Sequence, residues 1–275
     1  MLGHRLLTHF SGRHETRVTL RQPLTAYAAF GLFSRSNAYG AVDARDFNAI
    51  KRACTDFGAQ VIVNAIGIVK QRHDSADAVP AIEVNSLLPH RLRVLCADHG
   101  ARLIHLSTDC VFSGTRGNYA ESDIPDATDV YGRSKLLGEV GEAPALTLRT
   151  SMIGRELSRK SSLLEWFLAQ TGPVRGFRKA VFSGFTTTEL ARVIEMLIAR
   201  FPDASGLYHV SSAPINKYDL LCLLRDKLGL HTAIEPDDEF SCDRSLDSTR
   251  FRAQFNYEPP SWDAMTDELA REMRA

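Results

Sequence analysis

Apolar positions recur every three to four residues at the start of the chain. Leu2, Leu6, Leu7 and Phe10 would share one face of a helix over 2–10. The period then shortens, and 16–20 reads as a strand, as does 40–42, which ends at Asp43. Asp46 stands where it can cap a helix over 47–57, and Gly58 where it can stop it. The runs 60–65 (QVIVNA) and 102–107 (RLIHLS) are almost continuously apolar, as expected of parallel strands covered on both faces. Between them, 82–99 reads as a helix stopped by Gly100. A helix over 131–142 and a strand over 146–150 (LTLRT) follow. This alternation predicts an α/β fold, a doubly wound parallel sheet, over 1–150. Beyond 150 the pattern changes to helices over 162–169, 188–200, 218–228 and 262–273, with short apolar stretches such as 207–210. It predicts a smaller lobe over 151–275, interleaved with the first.

Candidate chemistry lies at the end of the second apolar run and in the helix after it. Tyr131 and Lys135 are four residues apart, so a helix points both along one face. An ammonium that close favours the phenolate and draws a tyrosine pKa from about 10 toward neutrality. Such a tyrosine can pass a proton at physiological pH. Thr108, in Ser107-Thr108-Asp109, offers a hydroxyl to the same substrate oxygen. The trio fits the reduction of a carbonyl by hydride from a nicotinamide. Tyr and Lys at this spacing are common by chance; the strand ending in Ser-Thr-Asp gives them weight.

Composition narrows the classes. Lys+Arg and Asp+Glu are equal at 33 each among 275 residues, which argues against a nucleic-acid partner. No apolar run approaches the roughly 20 residues that span a bilayer, and the first 15 residues do not read as a signal peptide. The five cysteines are scattered with no C-x-x-C pair, so no metal site and no disulfide framework is expected. They fit reduced thiols in a cytoplasmic protein.

Met1-Leu2-Gly3 reads as the last three positions of a G-x-x-G-x-x-G turn, which brings a pyrophosphate to a helix N-terminus. The strand and two glycines that open such a sheet are expected to be missing. A start codon assigned too late and a true loss both explain this, and both would leave a strand edge unpaired. The plainer reading of Gly3, a glycine in a frayed terminus, stays open.

Further segments point the same way: Asn64-Ala65 at a strand end, Asn85 in the next helix, 106–114 (LSTDCVFSG) and Leu148-Arg149-Thr150-Ser151. The second half adds 206–210 (GLYHV) and Arg244-Ser245-Leu246-Asp247. On these the chain resembles the extended short-chain dehydrogenase/reductases, most closely the dTDP-4-dehydrorhamnose reductase branch. S-T-D-x-V-F-x-G with Y-x-x-x-K is specific for the superfamily; the last two segments are moderately specific for the branch. The resemblance implies that Thr108, Tyr131 and Lys135 are catalytic. Tyr131 would protonate the C4 oxygen of a nucleoside-diphosphate 4-keto-6-deoxy sugar, in dTDP-L-rhamnose synthesis for cell-surface polysaccharide. Thr108, Asp109 and Arg244 would contact that substrate.

The implied cofactor is NADPH, with NADH left open. Its expected contacts are Leu2, Gly3, Arg21, Asp43, Ala44, Ala65, Ile66, Gly67, Tyr131, Lys135, Thr150 and Ser151. Asp43 would lie near the adenine, and Ala65 and Ile66 in the loop over the adenosine and pyrophosphate. Thr150 and Ser151 would lie near the nicotinamide. Arg21, just after the second strand, would face a 2′-phosphate.

Some residues depart from the pattern or carry plainer readings. Related dehydratases have Asp-Glu after the Thr; here Asp109 is followed by Cys110, which disfavours dehydration. The segment 67–71 (GIVKQ) is unusual for the branch and points toward another nucleotide sugar. Asp109 could equally cap its loop. Cys110 reads as packing, and Asn64 as a strand-ending backbone partner. His73, His90, His99 and His105 show no ligand spacing. Arg175, Arg178 and Lys179 form a basic turn, able to grip a diphosphate or simply solvated. Two alternatives to a reductase remain: a non-catalytic nucleotide-binding or regulatory member of the fold, and an epimerase. A homodimer is left open.

Overall fold

The computed structural model describes residues 1–69, 77–158 and 160–274; the expectations placed on Lys70, Gln71 and His73 lie outside these. Helix α1 (Leu2–Phe10) buries Leu2, Leu6, Leu7 and Phe10, the face its period predicts. Strand β1 (Val18–Thr19) pairs in parallel with β2 (Ala38–Tyr39), across a 3-10 helix at Leu24–Phe30. β2 lies before the expected 40–42, because Ala41 adopts φ 58, a left-handed conformation foreign to strands. Helix α2 (Phe47–Phe57) begins where the Asp46 carboxylate accepts from the Ala49 N–H, and ends at Gly58 with φ 66.

Strands β3 (Val61–Asn64) and β4 (Arg102–Thr108) are parallel neighbours, with Val61 opposite Arg102 and Asn64 opposite His105. With β5 (Ala145–Thr150) and β9 (Gly206–His209) they form a sheet of order β3-β4-β5-β9. β4 and β5 are buried throughout, whereas β3 is an edge strand and Val61 to Val63 are only half-buried. Among the described residues no ladder joins the β1–β2 pair to this sheet.

The helix expected over 82–99 is three pieces: α3 (Ala78–Ala81), a π-helical turn at Ile82–Leu87, and α4 (Leu88–His99). Pro89 has no N–H for the carbonyl of Asn85 four residues back, and its ring clashes with an α-helical carbonyl there. The turn therefore widens. Helix α5 (Val130–Leu137) stops at Gly138, earlier than the expected 142.

In the second half, β6 (Met152–Ile153) pairs with β8 (Phe185–Thr186). A three-stranded sheet places β7 (Val174–Phe182) between β10 (Ile215–Asn216), antiparallel, and β11 (Ile234–Asp243), parallel. The basic turn expected at 175–179 is part of β7. Arg175 pairs with Asp237 and Glu239, and Arg178 with Asp238, so β11 supplies their counter-charges. Helices α6 (Leu163–Leu168), α7 (Thr187–Arg200), α8 (Lys217–Leu228), α9 (Thr249–Phe255) and α10 (Trp262–Arg274) complete the chain.

Two compact units result. The first comprises Met1–Ser107, Asp129–Thr147 and Ala191–Leu207; the second comprises Thr108–Thr128, Leu148–Leu190 and Tyr208–Ala275. Ile50, Leu88, Leu92, Leu95, Cys96 and Leu103 form a core of the first. Phe167, Phe185, Leu190, Leu220, Phe251 and Phe255 are buried in the second. Among the described residues no helix is long and apolar enough to cross a membrane.

Candidate functional site

In the first unit, α5 sets Tyr131 and Lys135 one turn apart. The Asp129 carboxylate caps the helix by accepting from the Gly132 N–H at 2.9 Å. Lys135 is only 4% exposed, and its ammonium donates to the main-chain oxygen of Leu106 on β4 at 2.6 Å. Burial pulls the Lys135 pKa down to about 8, against the opposing pull of Glu139 one turn on. An ammonium has three N–H donors. Leu106 is its one hydrogen-bond partner among the described residues, which leaves donors for a ligand hydroxyl.

The π-helical turn locks this helix to the loop after β3. Asn85 Nδ2 donates to Ser134 Oγ at 3.1 Å and to the Ile68 carbonyl at 3.0 Å, while Oδ1 accepts from the Ile68 N–H at 2.9 Å. Ser86 Oγ donates to the Ser134 carbonyl. At the start of the loop, Asn64 Oδ1 accepts from the Ile66 N–H at 3.2 Å, the backbone role expected of it. Ala65, Ile66 and Gly67 are thus held between two asparagines. A Cβ on Gly138 would run into the Asn85 carbonyl oxygen, so α5 ends against the π turn.

Asp43 is held by two arginines of the first unit. Arg45 donates to it through its main-chain N–H at 2.9 Å and its side chain at 2.9–3.1 Å, and Arg21 Nε lies 3.3 Å away. These bonds keep the Asp43 carboxyl well below the usual carboxylate range, those of Arg45 most of all. Arg45, beside Ala44, escaped the sequence reading. Arg21 keeps about half its side chain exposed, and such a surface pair exchanges partners easily. Leu2 is buried at the start of α1, whereas a Cβ on Gly3 would meet nothing within 4 Å.

His90 bonds the Leu137 carbonyl, His99 the Leu95 carbonyl, and His105 bonds Asn64 while its Nε2 is without a partner. Among the described residues no group of three or more His, Cys, Asp or Glu is placed to hold a metal ion.

The second unit gathers Thr108, Asp109 and Arg244. Thr108 Oγ1 accepts from the Cys110 N–H at 3.1 Å and donates to Asp109 Oδ1 at 3.1 Å. Arg244 Nε donates to the Phe112 carbonyl at 2.8 Å and Nη2 to that of Ser113 at 3.1 Å, so it clamps the loop after Asp109. Burial pushes the Cys110 thiol up to about 12, which makes it no nucleophile at neutral pH. Thr150 is buried and donates to the Ser151 carbonyl at 3.3 Å. Beside them, buried Arg149 donates to His209 Nε2 at 3.1 Å, so His209 is neutral there and its Nδ1–H goes to the Tyr119 carbonyl at 2.9 Å.

Lys217 is the residue that sequence reasoning missed. Its ammonium lies 4.2 Å from the centre of the Phe182 ring, and burial lowers its pKa against the pull of Asp109, Cys110 and Cys242. The one signal in the sequence is its place as the first residue of a helix, where the macrodipole disfavours a cation.

The family described as RmlD substrate binding domain matches residues 1–275. The chain is similar to methionine adenosyltransferase 2 subunit beta of Bos taurus, 28% identical over 212 residues, 69% of this chain and 60% of that protein. It therefore spans about 60% of that relative's length. It is also similar to a dTDP-4-dehydrorhamnose reductase of Aggregatibacter actinomycetemcomitans, 26% identical over 231 residues, 75% of this chain and 79% of that one. The crystal structure of dTDP-4-dehydrorhamnose reductase from Bacillus anthracis str. Ames in complex with NADP matches with a TM-score of 0.74, over 94% of this chain and 100% of that one. At 18% identity that likeness is one of fold.

Proposed function

Because the chain belongs to the RmlD substrate binding domain family, we infer that it reduces the 4-keto group of a nucleoside-diphosphate 4-keto-6-deoxy sugar, dTDP-4-dehydro-L-rhamnose first among them. The product would feed cell-surface polysaccharide synthesis. The observation that carries this reading is Lys135, a buried ammonium four residues after Tyr131 with donors to spare. Tyr131 would give its proton to the C4 oxygen. Lys135 would stabilise the phenolate left behind and hold ribose hydroxyls with its remaining N–H groups. Thr108 would hydrogen-bond the same oxygen. NADPH would supply the hydride.

The residues present fit that cofactor. Lys135 has N–H donors beyond the one given to Leu106, and the open Cβ position of Gly3 admits close approach at the N-terminus of α1. Asp43, Ala44 and the 65–67 loop would hold the adenosine side, and Thr150 and Ser151 the nicotinamide side. Arg21 and Arg45 would meet a 2′-phosphate, which favours NADPH, as does the NADP in the B. anthracis reductase. The Cys110 thiol cannot stand in for the second acid of a dehydratase.

A second reading, regulation without catalysis, is favoured by the similarity to subunit beta of a methionine adenosyltransferase. The test is a panel of dTDP-, UDP- and GDP-linked 4-keto sugars with NADPH and NADH. Oxidation of NADPH by the dTDP sugar is expected. Turnover of a UDP or GDP sugar alone would overturn the rhamnose assignment. No turnover and no cofactor binding would favour the regulatory reading.

A further inference from the structure

Thr108 has one hydroxyl proton, and in the structure that proton goes to Asp109 Oδ1. One lone pair of Oγ1 takes the Cys110 N–H. A hydroxyl committed in this way cannot also donate to a substrate oxygen, because it has a single hydrogen. The direction of the Thr108–Asp109 bond depends on which partner holds a proton. An ionised Asp109 only accepts, so Thr108 must donate to it. A protonated Asp109 can donate to the second lone pair of Oγ1, which releases the Thr108 hydrogen for another acceptor.

The surroundings of Asp109 favour the protonated form. The residue is 6% exposed. Cys110 faces it from its own turn, Arg244 from the segment after β11, and Lys217 from α8, with Cys242 of β11 beside Lys217. Arg244 is turned to the Phe112 and Ser113 carbonyls, and Lys217 to the Phe182 ring. A carboxylate removed from water is destabilised relative to the acid. Burial accordingly pushes the Asp109 carboxyl up, while Cys110, Arg244, Thr108 and Lys217 pull it back.

We propose that Asp109 acts as a protonated positioning residue: it donates to Thr108 Oγ1, turns the Thr108 hydroxyl toward the substrate oxygen, and loses this arrangement at a pH set by Lys217. The proposal rests on the reading of Thr108 as a donor to the sugar C4 oxygen. It gives Lys217 a role away from the reacting atoms. Its positive charge favours ionised Asp109, so removing it widens the pH range in which Thr108 is free to donate.

Infrared difference spectra and kinetics on the full chain test this together. Wild type minus Asp109→Asn should show a protonated-carboxyl band at neutral pH that fades as the pH rises, with a higher midpoint in Lys217→Met. Asp109→Asn places an amide N–H where the carboxyl proton was and cannot ionise, so the part of the alkaline fall in kcat that tracks the wild-type band should be absent from its pH profile. No such band, a midpoint in Lys217→Met that is unmoved or lower, or an Asp109→Asn pH profile that still falls at the midpoint of the wild-type band, overturns the proposal. If Asp109→Asn does not fold, the band and its midpoint in Lys217→Met against wild type decide. The band without turnover of any 4-keto sugar would refute the reductase reading, and with it the role of Thr108, while still fixing where the proton resides.

Discussion

Replacing Lys135 by methionine removes a charge from a place where water does not solvate it, and the effect on stability can be worked out in advance. Burial lowers the Lys135 pKa from 10.5 to about 8. That difference, at about 1.4 kcal/mol for each pH unit, is about 3 kcal/mol. Below pH 8 the lysine is charged in both the folded and the unfolded chain, and the folded chain bears the full penalty. Above 10.5 it is neutral in both, and the penalty is gone. Between these limits the unfolded chain binds more protons, so folded-state stability rises with pH. Methionine carries no such dependence. The unfolding free energy of wild type minus that of Lys135→Met should therefore rise by about 3 kcal/mol between about pH 7 and about pH 11. The lost bond to Leu106 shifts the two curves apart at the pH where the lysine is charged, and other titrating groups cancel in the subtraction. Urea unfolding of both proteins across that range measures it. A difference flat to within about 0.5 kcal/mol would mean that Lys135 is solvated, and the account of the site would fail.

Tyr131→Phe should cut kcat for a 4-keto sugar by about 10²- to 10⁴-fold, with urea unfolding shifted by no more than about 1.5 kcal/mol. Gly138→Ala should destabilise by about 1–3 kcal/mol, read by thermal unfolding, because its Cβ meets the fixed Asn85 carbonyl. Arg244→Met removes two hydrogen bonds and should cost about 1–3 kcal/mol; a raised KM as well would assign it to the substrate, and an unchanged KM to the loop alone.

Much of the α/β frame was legible because local chemistry and tertiary packing agree in it. Asp46 and Gly58 bracket α2 as capping rules require, and RLIHLS is buried throughout as its composition implies. β7 was not legible: Arg175, Arg178 and Lys179 give it the look of a turn, and the acids that neutralise the arginines lie some 60 positions later on β11. β2 was displaced because nothing in Gly40-Ala41-Val42 announces a left-handed alanine. At the site, Tyr131 and Lys135 are visible as a spacing. The Asn85 clamp on Ile68 and the lysine facing Asp109 depend on residues 17 to more than 100 positions apart. No local pattern encodes such partners.

The widened turn at 82–87 also bears on which length changes this chain tolerates. Each residue of an α-helix advances about 100° around the axis. Deleting one residue there would rotate what precedes the deletion about the axis relative to α4, a change that surface helices often absorb. Here it would swing Asn85 and Ser86 away from Ile68 and Ser134 by about that angle. The helix could survive while the loop and α5 came apart. Sequence length across this turn should therefore be held more strictly than the identity of its exposed side chains, Glu83 among them.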